Sequence, residues 1–378
     1  QNSSYLGYLD NSGLKNIGIV EVHTECGLVG YGEAYAGVYC AELMDGVVKF
    51  LQQFIIGMDV DTRKVHNKIF SIPYIGRNGV LASVGSAINV ALYDIIGKKK
   101  NKPVYELLSD EYQNNVRVYA SNGSSTYSPK EIEEDVKSII DLGFDSYKMR
   151  IGYQDLETDI KRVEIARKTL GDKNLMIDSI MGTINPPWKL TDAINIGDKL
   201  IEYNPFWWEE PVHPTDIEAM SYLTSHSKIN IAGGEALNNK FEFEQYKKMN
   251  AVDYIQPDVT NSGGFDECGD ICNMYDKVAM HVWGSGLAIL SNLHFSISSK
   301  NVEYLEIPMM KLDITDEILN ESINVKDGCL SKPDVVGLGI TITDEIKEKY
   351  KLVKDSNYTL WKFIQIYKIE QKCTLYQH

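Results

Sequence analysis

The sequence predicts an α/β protein: a (β/α)8 barrel of the TIM type, modified, with an α+β capping domain formed by the N-terminal region and the C-terminal segment. Three observations predict it. From about residue 116 onward, short β-rich runs alternate with helical stretches at a regular interval. Those runs tend to close on charged or polar residues. Ahead of them stands a separate hairpin followed by two helical stretches.

Residues 17 to 35, "IGIVEVHTECGLVGYGEAY", alternate apolar and polar around Glu25-Cys26-Gly27, the pattern of a β-hairpin. The second helical stretch, roughly 80 to 97, is apolar at helical spacing, with Gly97 read as its stop and Pro103 beyond. The β-rich runs follow: "VRVYAS" at 116, "SYKMR" at 146, "LMIDS" at 175, "FWWEE" at 206, "INIAGGE" at 229, "VDYIQPD" at 252, "KVAMHV" at 277 and "VEYLEI" at 302. Their start-to-start intervals of 30, 29, 31, 23, 23, 25 and 25 residues suit a closed barrel better than a doubly wound sheet. The expected divisions are a capping domain over 1–112, a barrel over 113–308, and a segment over 309–378 that returns to the cap. The short "GYG" at 30–32 and "GSG" at 284–286 read as turns, since neither opens a dinucleotide-binding pattern.

Composition narrows the function. The chain has 378 residues, 43% hydrophobic and 24% charged, and no apolar run is read as approaching the ~20 residues of a membrane helix, so no membrane partner is expected. A formal net charge of −15 repels a phosphate backbone, so nucleic acid is not an expected partner. The six cysteines (26, 40, 268, 272, 329, 373) show no CxxC pair; free thiols in a reducing cytoplasm are expected, with Cys268 and Cys272 packing rather than binding metal. The chain begins with Gln1 rather than Met, so its natural start is expected to lie upstream.

In a barrel of this kind, catalytic groups sit at the C-terminal ends of the strands. The polar residues closing the runs are Lys148 and Arg150, Asp178, Glu209 and Glu210, Glu235, Asp258, His281 and Glu306. Lys148 and Arg150, two apart, share a face; adjacent Glu209 and Glu210 are expected to point apart. Any one acid could cap a helix or pair with a lysine. Asp178, one of the two glutamates, and Glu235 close three successive strands and should converge. Each carboxylate pair at ~4 Å repels by about 4 kcal/mol at an effective dielectric near 20, so a cation or bound protons must intervene. All-oxygen donors favour Mg2+, with Mn2+ the alternative.

The stretches "GLVGYGEAY", "SAINVALYDIIGKKKNKPVYELL", "WWEEP", "GGEAL", "QPDVTNSGG", "MHVWGSG" and "DGCLSKPDVVGLGI" run in an order and spacing that resemble the mandelate racemase / muconate lactonizing enzyme subgroup of the enolase superfamily. The resemblance implies metal ligands at Asp178, Glu209 and Glu235, with Glu210 an outward, structural partner. It also implies a base that removes the proton next to a substrate carboxylate, Mg2+ holding the enediolate, and Lys148 as a donor to it. Glu306 matches the acid that hydrogen-bonds the substrate carboxylate, a role that requires its proton, and Asp258 and His281 match an Asp-His dyad. The 23 residues between Asp258 and His281 are fewer than the family pattern, so the intervening helix should be shorter by about a turn. Trp207, Trp208 and Trp283 are candidates to line the pocket. Loops near 1–15 and 35–42 would close it and set specificity, and a homo-oligomer is expected from the resemblance.

Two departures choose among the family's reactions. The second position of the K-x-K motif is Arg150, and a guanidinium with pKa above ~12 is a poor neutral base. Where relatives often carry Asn or His, two residues after Asp178, stands Ile180. Dehydration of a small-molecule sugar acid, with His281 taking one proton and protonating the departing hydroxyl, needs only one such group and is favoured. A racemase or epimerase is the alternative, cycloisomerisation a lesser one, and a barrel that binds metal and ligand without turnover belongs to another class.

Overall fold

The structure, a computed structural model, describes residues 16–310, 312–350 and 364–371; the expected loop at 1–15 lies outside them. The cap begins with the predicted hairpin, β1 (Ile17–Thr24) antiparallel to β2 (Val29–Ala34), with Gly27 at φ 83° in its turn. The last strand in chain order, β12 (Ile364–Gln371), pairs parallel with β1. The chain therefore does return to the cap. Cys26 is disulfide-bonded, which corrects the reading of free thiols and removes one support for a reducing compartment. Cys40, Cys268, Cys272 and Cys329 are free, and Cys373 lies outside the described residues.

Three helices, Ala36–Ile55, Thr62–Phe70 and Gly79–Lys100, complete the cap. The third corrects the reading of composition. Over an 18-residue window its mean hydropathy is 1.6, so by length and composition alone it could cross a membrane, yet 72% of that window is buried inside the protein. It lies directly on β2, and this explains "GYG" as a strand segment rather than a turn. A Cβ on Gly30 would stand 2.0 Å from the Ala91 carbonyl oxygen and one on Gly32 1.9 Å from that of Ala87. Nor is Gly97 the stop: it packs against Gly337, and Asn101, in the left-handed region, closes the helix.

All eight expected runs form parallel barrel strands: β3 (Asn115–Ser121), β4 (Ser146–Arg150), β5 (Asn174–Asp178), β6 (Trp207–Glu209), β7 (Asn230–Gly233), β8 (Tyr254–Ile255), β9 (Val278–Met280) and β10 (Val302–Pro308). Neighbours in sequence are neighbours in the sheet, and β10 pairs with β3 to close it. A helix of nine residues, Gly264–Cys272, joins β8 to β9, and the other six connecting helices run 10 to 15 residues. The helix Gly264–Cys272 is the shortest of the seven by one residue. Among the described residues the short helix Asp313–Ile318 follows β10, and then β11 (Cys329–Ser331), antiparallel to β3. Eight strands with seven intervening helices therefore make the barrel.

Beneath the C-terminal strand ends, Tyr119, Met176, Trp207, Ala232, Tyr254, Ala279 and Tyr304 fill the barrel as a largely aromatic plug. This is a packed floor rather than a channel. The cap is seated on the barrel by buried polar contacts: the Asp266 carboxylate accepts from the Asn89 amide at 2.7 Å and the Tyr93 hydroxyl at 3.1 Å. On the other side, Asp94, fully buried on the cap helix, accepts from the Tyr31 and Leu338 backbone N–H groups. It thereby ties hairpin, helix and C-terminal segment together.

Candidate active site at the C-terminal strand ends

Register brings the predicted residues together. Arg150 pairs with Asp178 across β4 and β5, and Asp178 with Glu209 across β5 and β6. Glu235 stands just past β7, where Gly234 at φ 124° turns the chain. Asp258, His281 and Glu306 complete the ring, all at most 3% exposed. Eight predicted site residues thus face one end of one barrel.

Their charges are arranged in two groups. On one side the Lys148 ammonium lies 2.8 Å from Glu209, 3.0 Å from Glu306 and 3.9 Å from Asp178. Burial pulls its pKa down, but Glu209 and Glu306 outweigh that and hold it well above the usual lysine value. Glu209 also accepts from the Trp207 indole N–H in the floor, at 3.2 Å. On the other side His281 Nδ1 meets Asp258 at 3.0 Å and its Nε2 meets Glu235 at 3.3 Å. Burial lowers the imidazole, yet Glu235, Glu306 and Asp258 together raise it to about 9. Asp258 is fixed in turn by the Thr260 N–H and hydroxyl, both at 2.8 Å, and by the Asn292 amide at 2.9 Å.

Arg150 is locked in place. Its guanidinium donates to the Asn122 carbonyl at 3.0 Å and the Ser121 hydroxyl at 3.2 Å, and lies 4.9 Å from the centre of the Trp283 ring. Trp283 therefore borders the site. Trp207 belongs to the floor, and Trp208 turns outward to Ser179 and Gly197. Ile180, at φ 45°, holds a left-handed conformation that costs a β-branched residue of order 1–3 kcal/mol. The turn aims its N–H back at Asp178, 2.7 Å away.

One expectation changes, and it is not Glu210. At φ 41° just after β6 and 3% exposed, Glu210 turns out of the ring, its side chain lying near Gly182 and Gly233 with Pro214 and Met220 lining the same space. Burial first, then Glu235, Asp178 and Glu209, push its carboxyl well above the usual range. Glu306 was expected to hold a proton. Burial favours that, but Lys148, His281, the Ser121 hydroxyl and Arg150 outweigh it and bring its pKa to about 2.

Among the described residues no three acidic, histidine or cysteine side chains stand ready-gathered around one point. Glu209 leans to Lys148 and Glu235 to His281, which separates the trio. The donor set nevertheless fits a hard divalent cation: three carboxylates from adjacent strands and no sulfur. Burial raises all three carboxyls, and their mutual repulsion adds to it; Asp178 reaches about 6. That combination of burial and crowding is what a cation relieves.

The barrel region, residues 131–346, matches the family model of the enolase C-terminal domain-like proteins, and residues 12–109 match that of the mandelate racemase / muconate lactonizing enzyme N-terminal domain. The chain belongs to this family of the enolase superfamily. It is 29% identical to an arabinonate dehydratase of Saccharolobus solfataricus over 88% of this chain and 89% of that one. Among solved structures it resembles a 3,6-anhydro-D-galactonate cycloisomerase from Zobellia galactanivorans (TM-score 0.80, 29% identity, 89% and 94% of the two chains). It also resembles a racemase from Streptomyces coelicolor A3(2) with bound magnesium (TM-score 0.75, 25% identity, 86% and 88%). This family member is accordingly a metal-dependent lyase or isomerase.

Proposed function

We propose that this protein is an acid-sugar dehydratase, removing the proton next to the carboxylate of a sugar acid and eliminating water to leave a 2-keto-3-deoxy acid. The observation that carries the reading is the asymmetry of the site. On one side stands a single imidazole with its own carboxylate partner; on the other an arginine is committed to two oxygen acceptors and an aromatic face. One proton-transfer group supports elimination, whereas proton exchange on both faces of a carbon calls for two.

Asp178, Glu209 and Glu235 would hold Mg2+, with Mn2+ the alternative. Bound there, the ion supplies Lewis-acid stabilisation for charge developing on the substrate carboxylate, typically worth several kcal/mol. The remaining work falls to side chains of this chain. With Glu235 engaged by the ion, His281 would lose the first of the carboxylates that hold its pKa up, and its Nε2, then neutral, takes the proton from the carbon next to the carboxylate while Asp258 holds Nδ1 and stabilises the imidazolium. The same Nε2–H then protonates the departing hydroxyl, so water leaves and the resulting enol becomes the keto acid. Lys148 and Arg150 stay protonated, as fixed cations facing the substrate's oxygens. The carboxylate of Glu306 holds the Val282 N–H at 3.2 Å and the Lys148 ammonium, setting both against the substrate.

A second reading, cycloisomerisation, is favoured by the similarity to the Zobellia galactanivorans structure. Incubation with Mg2+ and a library of sugar acids separates the two. Dehydration yields 2-keto products with loss of water and stops with EDTA, while cycloisomerisation preserves composition. Deuterium entering recovered substrate without loss of water would overturn both in favour of racemisation.

A further inference from the structure

The cap reaches the catalytic dyad through one buried carboxylate. Glu33, at the end of β2 and 1% exposed, accepts from the Ser285 hydroxyl at 2.6 Å, the Ser285 N–H at 2.9 Å and the Ala288 N–H at 3.1 Å. It thus sits at the N-terminus of the helix Gly286–Ser298, where orphan N–H groups and the helix dipole favour a negative charge. The fit is close. A Cβ on Gly284 would stand 2.5 Å from the Glu33 carboxylate, so the approach needs glycine at that position.

What Glu33 grips is the far end of the loop that begins at His281. Between the two, the Val282 N–H binds Glu306 and the Trp283 ring covers Arg150. The residues beside Glu33 hold the other half of the dyad. The Tyr35 N–H and the Ser83 hydroxyl both donate to the Thr260 carbonyl, at 3.2 Å each, and Thr260 fixes Asp258. Tyr35 also meets the His281 ring edge to face, centroids 5.5 Å apart. One short cap segment is therefore keyed between the loops after β8 and β9. That segment leads into residues 35–42, where the helix Ala36–Ile55 is broken at Cys40 (φ −144°, ψ 54°).

We propose that Glu33 is a positioning residue: it sets the aim of the His281 imidazole from the cap, so that seating of the cap and alignment of the Asp258–His281 dyad are one event. The proposal extends the reading of His281 as proton-transfer group, and its test includes a readout independent of any reaction. Glu33→Gln keeps the volume but places an amide NH2 among N–H and O–H donors. Ser285→Ala removes one bond and guards against failure of the first variant to fold. Asn89→Ala weakens the cap–barrel seam far from the loop, as a control.

NMR of the full-length protein follows the Nδ1 proton shared by His281 and Asp258, and turnover is measured on the Mg2+-loaded protein with whichever sugar acid it accepts. The expected result is a shifted or lost Nδ1 resonance in Glu33→Gln, a smaller change in Ser285→Ala and none in Asn89→Ala. With it kcat falls about 100-fold in Glu33→Gln while KM holds, the scale of a reacting group displaced by about 1 Å. An unchanged Nδ1 resonance in both loop variants, or an equal change in Asn89→Ala, overturns the proposal. Loss of the dehydratase reading alone would leave the NMR result standing.

Discussion

The Lys148 ammonium lies 2.8 Å from the Glu209 carboxylate, and Glu209 is also the central acid of the three that would hold the cation. Lysine and metal therefore draw on the same side chain. Removing one partner of a buried pair leaves an uncompensated charge and costs about 3–5 kcal/mol. Lys148→Met should accordingly lower the stability of the ion-free protein by about that amount, since Glu209 and Glu306 both lose their cation. Mg2+ should restore much of it. Thermal melts with and without Mg2+ check this; a variant as stable as wild type without the ion would contradict it.

Ion binding should also be pH-dependent. In the ion-free protein, burial and Glu235 push Asp178 up to about 6 against the pull of Lys148, from a usual 3.8. The folded state then keeps a proton that the unfolded chain has released between those values, so this term makes stability fall as pH rises through the window. His281, raised from 6.5 to about 9, acts in the same sense: its contribution is full below 6.5 and lost as pH rises through 9. Glu306, lowered from 4.5 to about 2, opposes them, its contribution being lost as pH falls below 4.5. Because Mg2+ takes the place of the Asp178 proton, its apparent affinity should fall about tenfold per pH unit below about 6, with proton release. Calorimetry in buffers of different ionisation heat measures both.

Turnover should depend on the dyad, whereas ion binding should not weaken without it, because His281 competes with the ion for Glu235. His281→Asn is expected to lower kcat about 10²- to 10⁴-fold, the usual contribution of a general acid–base group. Asp258→Asn should produce a smaller loss, because Thr260 and Asn292 still hold the side chain in place. Steady-state kinetics beside Mg2+ titration checks this, and a His281→Asn protein that keeps wild-type kcat would contradict the role.

In the cap, Gly32→Ala should destabilise the protein by about 3 kcal/mol, the upper end of the usual cost of overpacking, because the contact is rigid. The added Cβ would stand 1.9 Å from a helix carbonyl that cannot move without the whole helix. Denaturant melts measure it, and a loss below 1 kcal/mol would show that the helix shifts readily.

Much of this was legible because the polar residues of the candidate site stand at the ends of barrel strands. The eight runs, seven of them closing on or beside Arg150, Asp178, Glu209, Glu235, Asp258, His281 or Glu306, became eight strands. What escaped depended on backbone geometry or on a distant partner. "GYG" reads as a turn until the helix lying on it is seen. Glu33 was visible as a charge closing "VGYGE", but its partner Ser285 lies 252 residues away, and no local pattern links them. Cys26 likewise carries no spacing that announces a disulfide.

The most direct test is crystallography with Mn2+, whose anomalous signal locates the ion. A single peak among Asp178, Glu209 and Glu235, with Glu235 turned away from His281 and Glu209 from Lys148, is the predicted result. A map with no peak there, the acids still paired with Lys148 and His281 at saturating ion, would contradict the account.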